Sequence, residues 1–98
     1  MNFNQKVWQI CKLIPKGRVS TYKEIARKLK TKAYRAVGNA LNKNPYSPKV
    51  PCHRVVKSDG SVGGFAKGQK AKIRMLEKEG IRIKNKKIVG FEKKFFTI

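Results

Sequence analysis

The stretch STYKEIARKLKTKAYRAVGNALNKN, residues 20–44, decides the fold. Ser20 and Thr21 are both good helix N-caps, because a short side-chain oxygen can take an orphan backbone N–H. Behind them Tyr22, Ile25, Ala26 and Leu29 recur at helical spacing and form one buried face. A second helix is predicted from about Lys32 to Lys43, with Ala33, Val37, Ala40 and Leu41 facing inward. Two short helices joined by a tight turn predict a helix-turn-helix. The outer face of the second helix carries Arg35, Gly38, Asn39 and Asn42. That face is either an ordinary solvated one or a surface for close approach to a DNA groove. The small residues Ala36 and Gly38 around one long cation favour DNA.

Working outward, Phe3, Val7, Ile10, Cys11 and Ile14 predict an amphipathic helix over 3–14, ended by Pro15-Lys16-Gly17. Cys11 lies on its apolar stripe and reads as a small core residue. Downstream, Asn44-Pro45-Tyr46-Ser47-Pro48 is a turn-rich loop, and His53-Arg54-Val55-Val56 reads as a short buried strand. Ser58-Asp59-Gly60 is a turn, and Val62 to Phe65 a loop. A further helix is predicted from about Gln69 to Glu79, stopped by Gly80. Ile81 to Ile83 and Lys87 to Val89 suit a small hairpin or wing, and Phe91, Phe95 and Phe96 are expected to pack back onto the core. The expected fold class is mainly α with short β elements, a winged helix-turn-helix-like single domain over residues 1–98.

Lys and Arg number 25 against 5 Asp and Glu, a formal charge of +20. That excess cannot be neutralised internally, so it draws polyanions, and nucleic acid is the leading partner class. No apolar run approaches the roughly 20 residues that span a bilayer. The first residues have no secretory pattern, so a cytoplasmic, nucleoid-associated protein with reduced thiols is expected.

The chemistry centres on Pro51-Cys52-His53-Arg54-Val55. Only a thiolate is a good nucleophile, so a reactive cysteine needs a base or a positive environment. His53 is the one histidine and directly follows Cys52. On a strand these neighbours point to opposite sides, which leaves open direct contact or a bridging water between them. A histidine base also needs a partner to fix its tautomer. Of the five acids, Glu79 is the candidate, since it precedes the turn at Gly80. On residue types alone a Cys-His pair is open between a structural and a catalytic role. Two cysteines and one histidine match no metal-ligand spacing, and neither metal nor other cofactor is expected.

Pro51-Cys52-His53-Arg54-Val55-Val56 resembles the active-site motif of the O6-alkylguanine-DNA alkyltransferases. Further segments resemble the family in the family's order: Thr21 to Ala26, Arg35-Ala36-Val37-Gly38 followed by Asn44-Pro45, Gly63-Gly64-Phe65, and Leu76 to Gly80. Together they cover nearly the whole chain. The resemblance implies a repair protein that moves an alkyl group from O6-alkylguanine onto its own Cys52, irreversibly and once. It implies that His53 takes the thiol proton through water, Glu79 orients His53, and Asn44 holds the supporting turn. Tyr22 sits beside the flipped guanine and a neighbouring phosphate. Arg35 fills the gap in the base stack, on a helix placed in the minor groove. Main-chain carbonyls of Cys52 and Val55 accept from the guanine amine. Leu41 and Phe65 wall the pocket, with Ala66 and Lys67 beside them. Tyr22, Lys23, Arg35, Ala36, Gly38, Asn39 and Ser58 make up the implied DNA surface. The implied partner is double-stranded DNA, bound without sequence preference by a monomer, with cooperative binding left open.

The chain departs from the family in three ways. Family members usually carry an N-terminal domain, and the chain begins about where the second domain starts. Phe65 stands where Tyr is usual. Ala66-Lys67 differs from the small or aromatic residues common there, which bears on the adducts the pocket takes. Two rival readings remain. An alkyltransferase-like protein binds the lesion without transfer, but such proteins carry another residue at the Cys52 position. A winged-helix regulator leaves the Pro-Cys-His-Arg-Val run without purpose.

Overall fold

A computed structural model describes all 98 residues. Helix α1, Phe3–Cys11, starts at a capping box: Asn2 Oδ1 accepts from Gln5 N at 2.8 Å, and Gln5 Oε1 from Asn2 N at 3.0 Å. It is shorter than the apolar spacing to Ile14 suggests. Pro15 disfavours helical geometry at residue 14. The last turn tightens instead, with Leu13 and Ile14 N–H groups reaching back only to Ile10 and Cys11, and Ile14 is still buried.

Strand β1, Ser20–Thr21, was not foreseen from sequence, and it leads straight into helix α2, Tyr22–Lys28. Thr21 is the N-cap, its hydroxyl accepting from Glu24 N at 3.0 Å. Helix α3, Tyr34–Asn42, is trimmed at both ends relative to the expected 32–43. Its N-cap, Ala33, offers no side-chain bond, while the Ala33 N–H is taken by Thr31 Oγ1. Helices α1, α2 and α3 close on a core of Val7, Cys11, Ile25, Val37, Ala40 and Leu41, and Trp8 Nε1 ties α1 to α3 by donating to Ala40 O at 2.8 Å.

The expected strand at His53–Val56 is two things. Cys52–Arg54 is a single 3-10 turn, and only Val55–Val56 is strand β2. Pro51 O accepts from Arg54 N at 2.9 Å, closing the turn before the ladder begins. β2 pairs in parallel with β1, Ser20 opposite Val55 and Thr21 opposite Val56. Helix α4, Gln69–Lys78, ends at Glu79, with Gly80 at φ +87°. The hairpin appears as β3, Ile83–Lys84, and β4, Lys87–Ile88. Val56, Val62, Leu76, Ile81 and Ile88 bury a second, smaller core. Short helix α5, Phe91–Lys94, follows, and the chain then runs beside Val19, with Phe96 N donating to Val19 O at 2.7 Å. The aromatic tail does pack back: Phe91 lies against the second core and 5.8 Å from the Phe95 ring. The architecture is mainly helical with short strands, as the sequence implied.

Candidate active site

The 3-10 turn changes the relation between Cys52 and His53. On a strand the two would point to opposite sides. A turn of three residues per revolution lets both point inward, and the two side chains are 7 % and 2 % exposed. Cys52 belongs to the main core, among Leu41, Val50 and Val55.

His53 Nε2 lies 2.9 Å from Glu79 Oε2. An ionised carboxylate only accepts, so it fixes the proton on Nε2. The other nitrogen, Nδ1, is buried and has no partner in the protein. Burial holds the His53 pKa below its ordinary value, against the upward pull of Glu79. His53 is therefore neutral near pH 7, with an open basic nitrogen. Burial also opposes the charge of Glu79, but hydrogen bonds from Arg54 and His53 outweigh it and bring its pKa down to about 2. Arg54 grips Glu79 with Nε at 2.9 Å from Oε1 and Nη2 at 2.8 Å from Oε2, while its Nη1 donates to Ile14 O. The same guanidinium thus anchors the turn that follows α1.

Asn44 pins the preceding loop from both ends. Its Nδ2 donates to Val50 O, and its Oδ1 accepts from Tyr46 N, each at 2.8 Å. Val50 O also accepts from Cys52 N at 2.9 Å, so the loop and the cysteine turn share one anchor.

Tyr22 is the residue after β1, so the two-rung ladder to Val55–Val56 carries it to the cysteine turn. Its pKa is pushed up to about 12, chiefly by burial. Gly63 lies beneath it at φ +73°, and a Cβ there would meet the Tyr22 hydroxyl at 3.3 Å. Only glycine suits both the backbone and the contact.

Sequence reasoning missed two residues. One is Arg54, quoted in the motif but given no role. The other is Lys72 on α4, fully buried with no carboxylate partner. Its Nζ donates to Val55 O at 2.6 Å and Gly64 O at 3.1 Å, and lies 3.4 Å from Tyr22 Oη. Burial lowers its pKa to about 8. The Val55 carbonyl, which the resemblance offers to guanine, accepts from Lys72 in this structure.

The remaining implied pocket residues divide. Leu41 and Val55 are buried and Phe65 is half-buried against the main core, whereas Ala66 and Lys67 are exposed. The implied DNA surface is open: Lys23, Arg35, Asn39 and Ser58 are exposed, Ala36 and Gly38 half-exposed. Cys11 is fully buried, and burial pushes its thiol pKa up, so it stays protonated. No helix is long and apolar enough to cross a membrane.

The fold and site define a helix-turn-helix domain that holds a cysteine in its core beside a carboxylate-fixed histidine. The chain belongs to the 6-O-methylguanine DNA methyltransferase family, whose DNA-binding-domain model matches residues 2–81. A methylated-DNA–protein-cysteine methyltransferase of Sulfolobus acidocaldarius is 48 % identical over 82 residues, 84 % of this chain and 52 % of that one. The chain spans about half the length of the curated relatives it matches. Among solved structures, Mycobacterium tuberculosis OGT in complex with DNA is similar at TM-score 0.77 and 40 % identity, covering 81 % of this chain and 50 % of that one. Schizosaccharomyces pombe Atl1, in complex with damaged DNA containing O6-carboxymethylguanine, is similar at TM-score 0.85 and 30 % identity, covering 98 % and 95 %.

Proposed function

We propose that residues 1–98 form one alkyltransferase domain that takes a methyl or larger alkyl group from O6-alkylguanine in DNA onto Cys52. The observation that carries this is His53: buried, tied through Nε2 to Glu79, and open at Nδ1 beside the cysteine turn. The Cys52 proton passes through a bridging water to Nδ1, and Glu79 stabilises the imidazolium. The thiolate attacks the alkyl carbon. The S–C bond forms, the C–O6 bond breaks, and the electron pair stays on guanine. Tyr22 donates a hydrogen bond toward the charged base, and the Lys72 ammonium behind it offsets the new charge. The product thioether has no leaving path, so each molecule acts once.

A thiol this deep cannot reach a stacked base, so the nucleotide must flip. Arg35 on exposed α3 is the residue to fill the gap. Gly38 supports a close approach of α3 to the minor groove. A Cβ there would meet nothing within 4 Å in the protein, so the chain's own packing does not require glycine. Its presence mid-helix costs about 1 kcal/mol against alanine. Binding is sequence-independent and led by phosphate contacts, as a charge of +20 favours. The protein acts as a monomer in the cytoplasm.

Incubation with duplex DNA containing O6-methylguanine is expected to add one methyl group to Cys52, read by intact mass and peptide mapping. Cys52→Ala should lose the gain entirely. Arg35→Ala should slow transfer from duplex roughly tenfold or more while sparing a free-base substrate, and equal losses on both would sink the flipping role. The likeness to Atl1 over nearly the whole chain favours a second reading, lesion binding without transfer. Retained lesion binding with no mass change would establish it.

A further inference from the structure

Residues 82–98 follow the stretch that the family model matches. Every hydrogen bond they make outside their own segment goes to residues 18–27 or 60–62, and none reaches α1, α3 or the Cys52 turn. One set of bonds holds β1. Val19 N donates to Lys94 O at 2.9 Å and Val19 O accepts from Phe96 N at 2.7 Å, so residues 94–96 run parallel to β1 along its other edge. Arg18 locks this third strand. Its Nε donates to Lys94 O at 3.1 Å, its Nη2 to Phe95 O at 2.8 Å, and its guanidinium lies 6.0 Å from the Phe96 ring centre. Arg18 has no carboxylate partner. Further on, Ile98 is held by Glu24 and Arg27 on α2. The other set of bonds holds the loop after β2. Val62 N donates to Lys86 O at 2.9 Å and Ile88 N to Gly60 O at 2.8 Å. Phe91 packs beneath Gly60, where a Cβ would meet its Cγ at 3.2 Å.

Both anchored stretches lead to one place. β1 ends one residue before Tyr22. The loop runs on into Gly63, which lies against Tyr22, and Gly64, whose carbonyl accepts from Lys72. The β1–β2 ladder that joins this corner to Val55 and Val56 is parallel, the weaker kind of pairing, and has only two rungs. Two strands alone are marginal, so a third on the other edge of β1 secures them. A phenol that meets a reacting base tolerates little play, because an error of about 1 Å can cost about 10²-fold in rate.

We propose that residues 82–98 are a positioning brace for the transfer step, holding Tyr22 and the Gly63–Phe65 wall in register, with Arg18 and Phe91 as its positioning residues. The rate it predicts rests on the transfer reading, and the backbone order it predicts does not. Arg18 acts through β1 on Tyr22. Phe91 acts through Gly60 on the loop.

The test is single-turnover methyl transfer from duplex O6-methylguanine over a range of protein concentrations, with hydrogen exchange measured on the same variants without DNA. Arg18→Ala should lower the limiting rate about tenfold and move the half-saturating concentration less than about threefold. Arg18→Lys, which keeps the charge and a donor, should recover most of the rate, and Phe91→Leu should lose about threefold. Amides of residues 19–22 and 55–57 should exchange about tenfold faster in Arg18→Ala, with those of α1 and α3 unchanged. Ile10→Ala on α1 should lower Tm yet keep the limiting rate within about twofold of wild type. Phe91→Leu carries the comparison if Arg18→Ala does not fold. An unchanged limiting rate in Arg18→Ala, or an equal loss in Ile10→Ala, would overturn the brace. Lesion binding without transfer in wild type would sink the transfer reading instead. The brace then shows as about tenfold faster release of lesion duplex from Arg18→Ala, and equal release overturns it.

Discussion

Glu24 and Glu79 make the same fork with arginine and differ in what else they hold. Glu24 accepts from Arg27 at 2.8 and 2.9 Å, and its second oxygen takes the Ile98 N–H at 2.8 Å. Glu79 accepts from Arg54 at comparable distances, and its second oxygen takes His53. The two carboxylates are about equally covered, at 9 % and 10 % side-chain exposure. Their arginines are not: Arg27 is 57 % exposed and Arg54 16 %. One fork clasps Ile98 at the surface. The other sets the tautomer of a buried histidine. The two differ in the depth of the cation and the identity of the extra donor, not in the carboxylate itself.

Glu79→Gln is the strongest way to break this contrast. The amide cannot stabilise an imidazolium, so single-turnover transfer should slow by roughly 10²- to 10³-fold. A rate within a few-fold of wild type would reduce Glu79 to a second clasp. Lys72 sharpens the contrast from the same helix, because its buried charge has no carboxylate at all. Its folded pKa, about 8, lies below the ordinary 10.5, so between those values the unfolded chain binds more protons. Wild-type stability should therefore rise with pH across that window relative to Lys72→Met, by about 3 kcal/mol. Chemical denaturation of the pair at pH 8 and pH 10.5 measures it, and a constant difference refutes the buried-cation account.

On the acid side stability again rises with pH, but here the charged form is the favoured one in the folded protein. Glu79 falls from 4.5 to about 2 on folding, so its stabilisation is present above pH 4.5 and lost as pH drops toward 2. Melting curves of Glu79→Gln should lack that part of the acid limb. Glu24→Gln should show the smallest effect, under about 1 kcal/mol in a melt near pH 7, since its cation is largely solvated. A loss as large as that of Glu79→Gln would erase the distinction.

The helices were legible because their apolar spacing is regular, and Glu79 was legible because Gly80 marks the end of α4. The 3-10 turn was not. Four residues from His53 to Val56 fit a strand as well as a turn, and only Pro51 hints that the ladder starts late. Lys72 was hidden for a different reason. A lysine before Ile73 and Leu76 in a chain with 25 basic residues reads as solvated surface. Its burial depends on carbonyls at residues 55 and 64, which only tertiary folding supplies. A cleft beside α2 joins residues 21–34 with Ser58, Phe91 and Phe95, and no local pattern links them. Cys52, Asn44 and Arg35 were singled out by their ordered segments; Cys52 lies in the core, Asn44 pins the loop before it, and Arg35 is exposed on α3.

The hydrogen bond from Trp8 to the Ala40 carbonyl has a practical use. Trp8 is the sole tryptophan, half-buried, with the Tyr46 ring edge-on at 5.7 Å. Its indole therefore senses α3 on one side and the loop leading to Cys52 on the other. Intrinsic emission, excited selectively and without any label, becomes an optical gauge of both. Stopped-flow mixing with DNA then tests whether α3 is the helix that docks, and whether a slower step at the Cys52 loop follows.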